Sequence, residues 1–183
     1  GDSLTFSLLW RFDAHLSGLP ALGLALAVAS ARALESQGAQ GIRLKWPNDL
    51  LFEGRKLGGI LIDSFRDAGG TSVVAGIGLN VAHARSLQTR IGRGIADLRE
   101  SGLRALRTDI LAVQLAHLEQ ALAGFALGGF APVRDQWMAR DAWPGRRLRL
   151  TSASGSEAEG ESAGIAEDGA LLLLCNEIGR ASC

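Results

Sequence analysis

Apolar and polar positions partly alternate along LTFSLLWRF (4–12), which predicts a buried strand at the start of the chain. The pattern then changes period. SGLPALGLALAVASARALESQG (17–38) carries almost no charge before Arg32, has Pro20 suited to a first turn and ends at Gly38, so it predicts a helix with most of its surface covered. IRLKW (42–46) and LLFE (50–53) are short strands around the turn formers Pro47, Asn48 and Asp49, and EGRK (53–56) turns at Gly54. LGGILIDSF (57–65) and TSVVAGIGLNV (71–81) are two more buried strands around the loop RDAGG. Residues 83–107 are irregular and arginine-rich, with a short helix expected at IADLRES (95–101).

An amphipathic helix follows at 108–125, N-capped by Thr108, with Ile110, Leu111, Leu115, Leu118, Leu122 and Phe125 on its packed face. FAPVRDQWMARD (130–141) predicts a shorter helix packed through Trp137. From WPGRRLRL (143–150) onward only short strands are expected. A β unit of about forty residues buries too little surface to stand alone, so it should pack on the preceding domain. The whole is an α/β (α+β) chain with a mixed β-sheet and packed helices.

Composition narrows the function classes. With 47% hydrophobic and 21% charged residues the chain can build a sizeable core, and zero net charge gives no long-range field to attract nucleic acid. RRLR (146–149) is a short basic strand, more in keeping with a solvated edge than with a nucleic-acid face. The apolar run 19–31 is too short to span a bilayer, and no basic run opens the chain as in a secretory signal, so no membrane partner and a cytoplasmic location are expected. Cys175 and Cys183 have no metal-type spacing, and His15, His83 and His117 are scattered, so no metal site is expected.

No G-x-S-x-G or P-loop string occurs. GIGLN (76–80) begins like a dinucleotide loop, but the third glycine would fall on Val81. Gly76 and Gly78 instead suggest a strand that something approaches closely, with Asn80 at its end available to a ligand. Gly58 and Gly59, paired inside an apolar strand, call for a bulge or a ligand lying on the backbone. GRG (92–94) is a lone short match to a phosphate loop.

Lysine usage is the sharpest signal. Of the nineteen basic residues only Lys45 and Lys56 are lysine; the other seventeen are arginine. Lysine is a compact ammonium and arginine a broad planar fork, so a site that needs the former does not accept the latter. Lys45, at a strand end before a tight turn, would project into whatever pocket the strand ends line. There it could bind a carboxylate, a phosphate or an acyl-phosphate oxygen, or simply pair with Asp49.

KWPND (45–49), RKLGGIL (55–61) and GIGLNV (76–81), in this order and spacing, resemble the biotin protein ligases. SLLWRF (7–12) and GIAEDGALLL (164–173) are similar to the family as well, the latter to its small SH3-like domain. The resemblance implies a class II synthetase-like ligase domain over 1–140 and an SH3-like C-terminal domain over 141–183. It implies ATP, as its Mg²⁺ complex, and biotin as substrates, biotinyl-5′-AMP as intermediate, and a biotin carboxyl carrier protein as acceptor. Carried over, Lys45 is the catalytic lysine that meets the biotinyl carboxylate and the phosphate. Gly58 and Gly59 let the biotin ring system lie close to the strand, Gly76 and Gly78 belong to the biotin or adenylate site, and Asn80 lies on the nucleotide side. Trp46, Asn48 and Asp49 shape the turn that positions Lys45, and Lys56 has a hairpin or carrier-facing role.

The family's G-R-G-R-x-G loop, its upstream Ser/Thr-Asn contact and the helix-turn-helix of its repressor forms do not occur in the sequence. CNEIGRASC stands where a glycine-glutamate strand usually closes the small domain. A family member cut at its start and altered or cut at its end, without DNA binding, is therefore expected. A lipoate–protein ligase-like transferase and a fragment that only binds ligand or partner are the alternatives. A homodimer through a sheet edge is left open.

Overall fold

The computed structural model describes residues 2–13, 16, 18–82, 94–151, 155–175 and 178–181, the last four by backbone alone. His15, His83, Cys183 and the first two residues of GRG lie outside the described residues. The first sheet has five strands: β1 (Ser3–Phe12), β2 (Ile42–Lys45), β3 (Asp49–Phe52), β4 (Arg55–Asp67) and β5 (Gly70–Asn80), in the order β1-β5-β4-β3-β2. These strands pair antiparallel. The parallel component of the expected mixed sheet is confined to two isolated bridges, Leu44 with Asp141 and Lys56 with Ile95.

Hairpin chemistry sets the register. Glu53 and Gly54 both take positive φ (49° and 73°), as a two-residue turn matched to the strand twist requires. Between β3 and β4 the register shifts: Leu50 faces Gly58 but Leu51 faces Lys56, so Leu57 is the extra residue of a bulge. That answers the glycine pair in part. A Cβ on Gly58 would sit 2.5 Å from the Gly78 carbonyl oxygen and 2.8 Å from Leu79 Cδ2, so this glycine serves the close approach of β5.

One face of the sheet is covered by α1 (Leu19–Ser36), whose residues Ala21 to Ala31 are all buried. It touches β4 through Gly23 and Ile62, and α2 (Arg107–Gly128) lies against its other side. An apolar helix without a polar stripe needs cover all round, and α1 has it. The helix extends the apolar run to eighteen residues, so α1 and α2 are both long and apolar enough to cross a membrane by length and composition alone; α1 is mostly buried inside the molecule.

Three local expectations change. The α2 N-cap is Leu106, without a side-chain cap, and Thr108 sits inside the helix with its hydroxyl 3.5 Å from Asp109. Leu115 is exposed while Gln114 is buried, because the Gln114 amide donates to the Ser30 carbonyl across the helix pair (3.1 Å). Residues 95–101 form a bridge and a turn rather than a helix. Their backbone groups are drawn to neighbouring strands: Ala96 N–H donates to Lys56 O and Leu98 N–H to Asn80 O, each at 2.9 Å.

The short helix α3 (Ala131–Met138) buries Trp137 as expected. A second antiparallel sheet then follows, β6 (Arg147–Thr151), β7 (Glu157–Ile165), β8 (Leu171–Leu174) and β9 (Ile178–Ala181), in that order. CNEIGRASC thus does contain a closing strand, β9, paired with β8. Ile165, Leu171 and Leu173 join the same hydrophobic cluster as the first sheet and α1, so the small unit shares the core of the large one.

Candidate functional site

On the sheet face away from α1 lies a cavity of about 780 Å³. Its floor follows from register. Lys45 pairs with Asp49, Asp49 with Gly59, Gly59 with Gly78 and Gly78 with Thr5, so one rank of residues crosses all five strands with its side chains on one face. The next rank holds Leu61, Gly76 and Ser7, and Asn80 pairs with Ser3 beyond Gly78. A Cβ added to Gly78 would meet nothing within 4 Å, so the glycine leaves open floor. Of the four glycines expected to admit a ligand, Gly59, Gly76 and Gly78 share this face; Gly76 and Gly78 leave it open, whereas a Cβ on Gly59 would crowd Asp49 Oδ1 (3.3 Å) and Lys56 Nζ (3.4 Å). Gly58 lines the cavity by its backbone, with its α-carbon turned to the core.

Both lysines of the chain converge at one end of the rank. Lys56 Nζ lies 2.5 Å from Asp49 Oδ1 and Lys45 Nζ 3.8 Å from Asp49 Oδ2. The pairing of Lys45 with Asp49 weighed from spacing therefore exists, and it does not take Lys45 out of the cavity, which both ammoniums line. One carboxylate between two ammoniums leaves a net positive cavity end, suited to an anion. Lys56 is more than a hairpin residue. Its side chain belongs to this cluster, while its backbone N–H donates to Gly94 O (3.0 Å) and its carbonyl accepts from Ala96.

The turn holding Lys45 is anchored from outside. Trp46 donates from Nε1 to the Gly169 carbonyl between β7 and β8 (3.0 Å), and Asn48 O accepts from Ile60 N–H (2.9 Å). The Trp46–Pro47 peptide is cis. Asn80 spends its amide N–H groups on the carbonyls of Lys56 and Ala96, each at 3.1 Å, closing the cavity rim where Gly94 and Ile95 line it.

Trp143 is the wall residue that sequence reasoning missed. Its ring centroid lies 5.0 Å from Lys45 Nζ and 5.5 Å from Arg146 Cζ. Only the aromatic residue in WPGRR hinted at it, since nothing in the pattern says that residue 143 returns to residue 45. Among the described residues no group of three His, Cys, Asp or Glu side chains could hold a metal. The basic strand RRLR lies on the edge of the second sheet, where Arg147 and Arg149 both face Glu159 (2.9 and 4.0 Å).

Residues 1–80, which include the entire rank, match the biotin/lipoate A/B protein ligase family. Among curated relatives, the chain is 33% identical over 174 residues to the bifunctional ligase/repressor BirA of Escherichia coli (strain K12), covering 94% of this chain and 54% of that protein. It is 34% identical over 163 residues to the biotin–[acetyl-CoA-carboxylase] ligase of Paracoccus denitrificans, covering 81% and 63%. The chain thus spans about half the length of the ligase/repressors it matches. Among solved structures, the biotin protein ligase from Aquifex aeolicus in complex with biotin and ATP superposes with a TM-score of 0.84 at 25% identity, over all of this chain and 76% of that one.

Proposed function

We propose that this chain carries the biotin-activating centre of a biotin–protein ligase. In the first step a carboxylate oxygen of biotin bonds to the α-phosphorus of ATP. The bond from that phosphorus to the oxygen bridging to the β-phosphate breaks, and pyrophosphate leaves. In the second, the amine of a lysine on a biotin carboxyl carrier domain bonds to the biotinyl carbonyl carbon. The acyl–oxygen bond to AMP then breaks, and the amine proton passes to solvent.

The observation that carries this reading is the glycine rank running under a cavity and ending at two ammoniums. Gly76 and Gly78 give a flat floor on which a ring system can lie against the strands, and Gly59 makes room for the Asp49–Lys56 pair at its end. Lys45, held by Asp49, then meets the carboxylate end and the α-phosphate, where negative charge builds in both steps. Asn80, its N–H groups engaged, would accept from the nucleotide side through its oxygen. Asp49, the one carboxylate among the described lining residues, is engaged by both lysines. Mg²⁺ would come to the site as part of the ATP substrate complex.

Biotin-dependent exchange of pyrophosphate into ATP tests the reading. Lys45→Ala should lower the exchange rate by on the order of 10²–10³-fold, the usual effect of removing one group that stabilises developing charge. A folded chain that binds biotinyl-5′-AMP but does not exchange would hold the adenylate without forming it, and would overturn the activating role. Lipoate that displaces biotin with equal affinity would move the assignment to the lipoate branch of the family. Failure to bind the adenylate at all would sink the proposal.

A further inference from the structure

Lys45 has contacts on two sides, and only one of them belongs to its own hairpin. Asp49 holds it from the turn. Trp143 faces it from a segment ninety-eight residues later, with the ammonium 5.0 Å from the ring centroid, inside the range of cation–π attraction.

The path that brings the indole there is built from backbone hydrogen bonds. Leu44 N–H donates to Arg140 O (2.7 Å) and Ala142 N–H to Leu44 O (2.8 Å), so residues 140–142 run parallel along the free edge of β2 and end beside Lys45. Arg140 is fixed in turn by a fork on Glu35 of α1 (3.0 and 2.7 Å). Asp141 Oδ1 accepts from Trp143 N–H (2.9 Å), which sets the turn into the indole. On the far side Arg146 N–H donates to Trp143 O (3.2 Å), and the turn is tied to β7 by Gly145 N–H to Ser162 O (3.1 Å) and Ser162 N–H to Arg146 O (2.9 Å). The ring is thus held from both the α1 side and the second sheet, and it lines the cavity.

We propose that Trp143 is a positioning residue for Lys45: its ring face confines the ammonium against Asp49 and toward the cavity. Through it the second sheet acts on the reacting groups without touching them. The proposal rests on the ligase reading for its catalytic meaning, but the contact can be measured without any turnover.

Because the chain has only two lysines, labelling with [ε-¹³C]lysine yields two signals, assigned by Lys45→Arg and Lys56→Arg. The Lys45 ε-methylene protons should be shifted upfield by the ring current. They should lose that shift in Trp143→Leu, which keeps apolar bulk, and keep part of it in Trp143→Phe. In pyrophosphate exchange, Trp143→Leu should lower kcat by about fivefold, the scale of one cation–π contact. KM for biotin should change less, and Trp143→Phe should recover most of the rate.

A Lys45 signal indifferent to Trp143→Leu overturns the proposal, as does a signal that moves while kcat stays at the parent value. Equal recovery by Leu and Phe would make Trp143 mere packing and overturns it too. A parent chain with the shifted Lys45 signal but no exchange would count against the ligase reading alone.

Discussion

Each lysine was visible in the sequence as a residue that arginine does not replace elsewhere, but that they meet on one carboxylate was not. Lys45 and Asp49 are four residues apart in a hairpin. Lys56 reaches Asp49 only because the Leu57 bulge re-aims β4. Asp141 is a second residue whose role comes from its surroundings. Burial pushes its carboxyl above the ordinary range, offset in part by the Trp143 N–H, and its Oδ2 is buried without a hydrogen-bond partner. A carboxyl whose folded pKa is raised binds more protons in the native state, so stability falls as pH rises through the interval above the unfolded value of about 3.9. Asp141→Asn, which keeps an acceptor for Trp143, should therefore raise Tm at pH 7 by roughly 2–4 °C. The gain should shrink as pH falls through the ordinary carboxylate range. Thermal melts of the two proteins across pH would check both the sign and the window.

At the scale of elements, periodicity located β1 to β5, α1, α2 and α3 to within a few residues, but β1 and the outer half of β4, expected to be buried, leave Leu9, Leu61 and Phe65 exposed. It failed where tertiary hydrogen bonds override local preference. Residues 95–101 give their backbone groups to Lys56 and Asn80 instead of to a helix, and α2 turns Gln114 inward and Leu115 outward. The two glycine motifs divide by function in a way that spacing hides. Gly58→Ala would drive a Cβ to 2.5 Å from the Gly78 carbonyl, and should lose roughly 1–3 kcal/mol in denaturant unfolding. Gly78→Ala places its Cβ in open space and should change stability by less than about 0.5 kcal/mol. On the ligase reading it should nonetheless weaken biotin binding, measurable by calorimetry, because the methyl occupies the floor.

At the scale of the whole molecule, the second sheet is bound into the first by specific contacts and by shared core. Trp46 donates to Gly169 O, Arg134 to Ile165 O (2.6 Å), and Ile165, Leu171 and Leu173 extend one hydrophobic cluster. Urea unfolding followed by far-UV circular dichroism and by tryptophan fluorescence should therefore give coincident transitions. Gly169→Ala, whose Cβ would lie 2.7 Å from that of Ala21 at a φ of +87°, should lower both midpoints together. Two separated transitions would mean that the sheets unfold independently. What the sequence determined by itself was local or periodic: the strands and helices, the turn at 45–49, the glycines that leave backbone bare, and the two lysines. Those features depend on residues within a turn or two of each other, and their chemistry is written in side-chain type. The tertiary structure alone decided which glycines face the cavity, that both ammoniums share Asp49, and that Trp143 stands over Lys45. These depend on register, on one bulge and on a parallel bridge between residues 44 and 141, and no local pattern encodes a contact made across that distance.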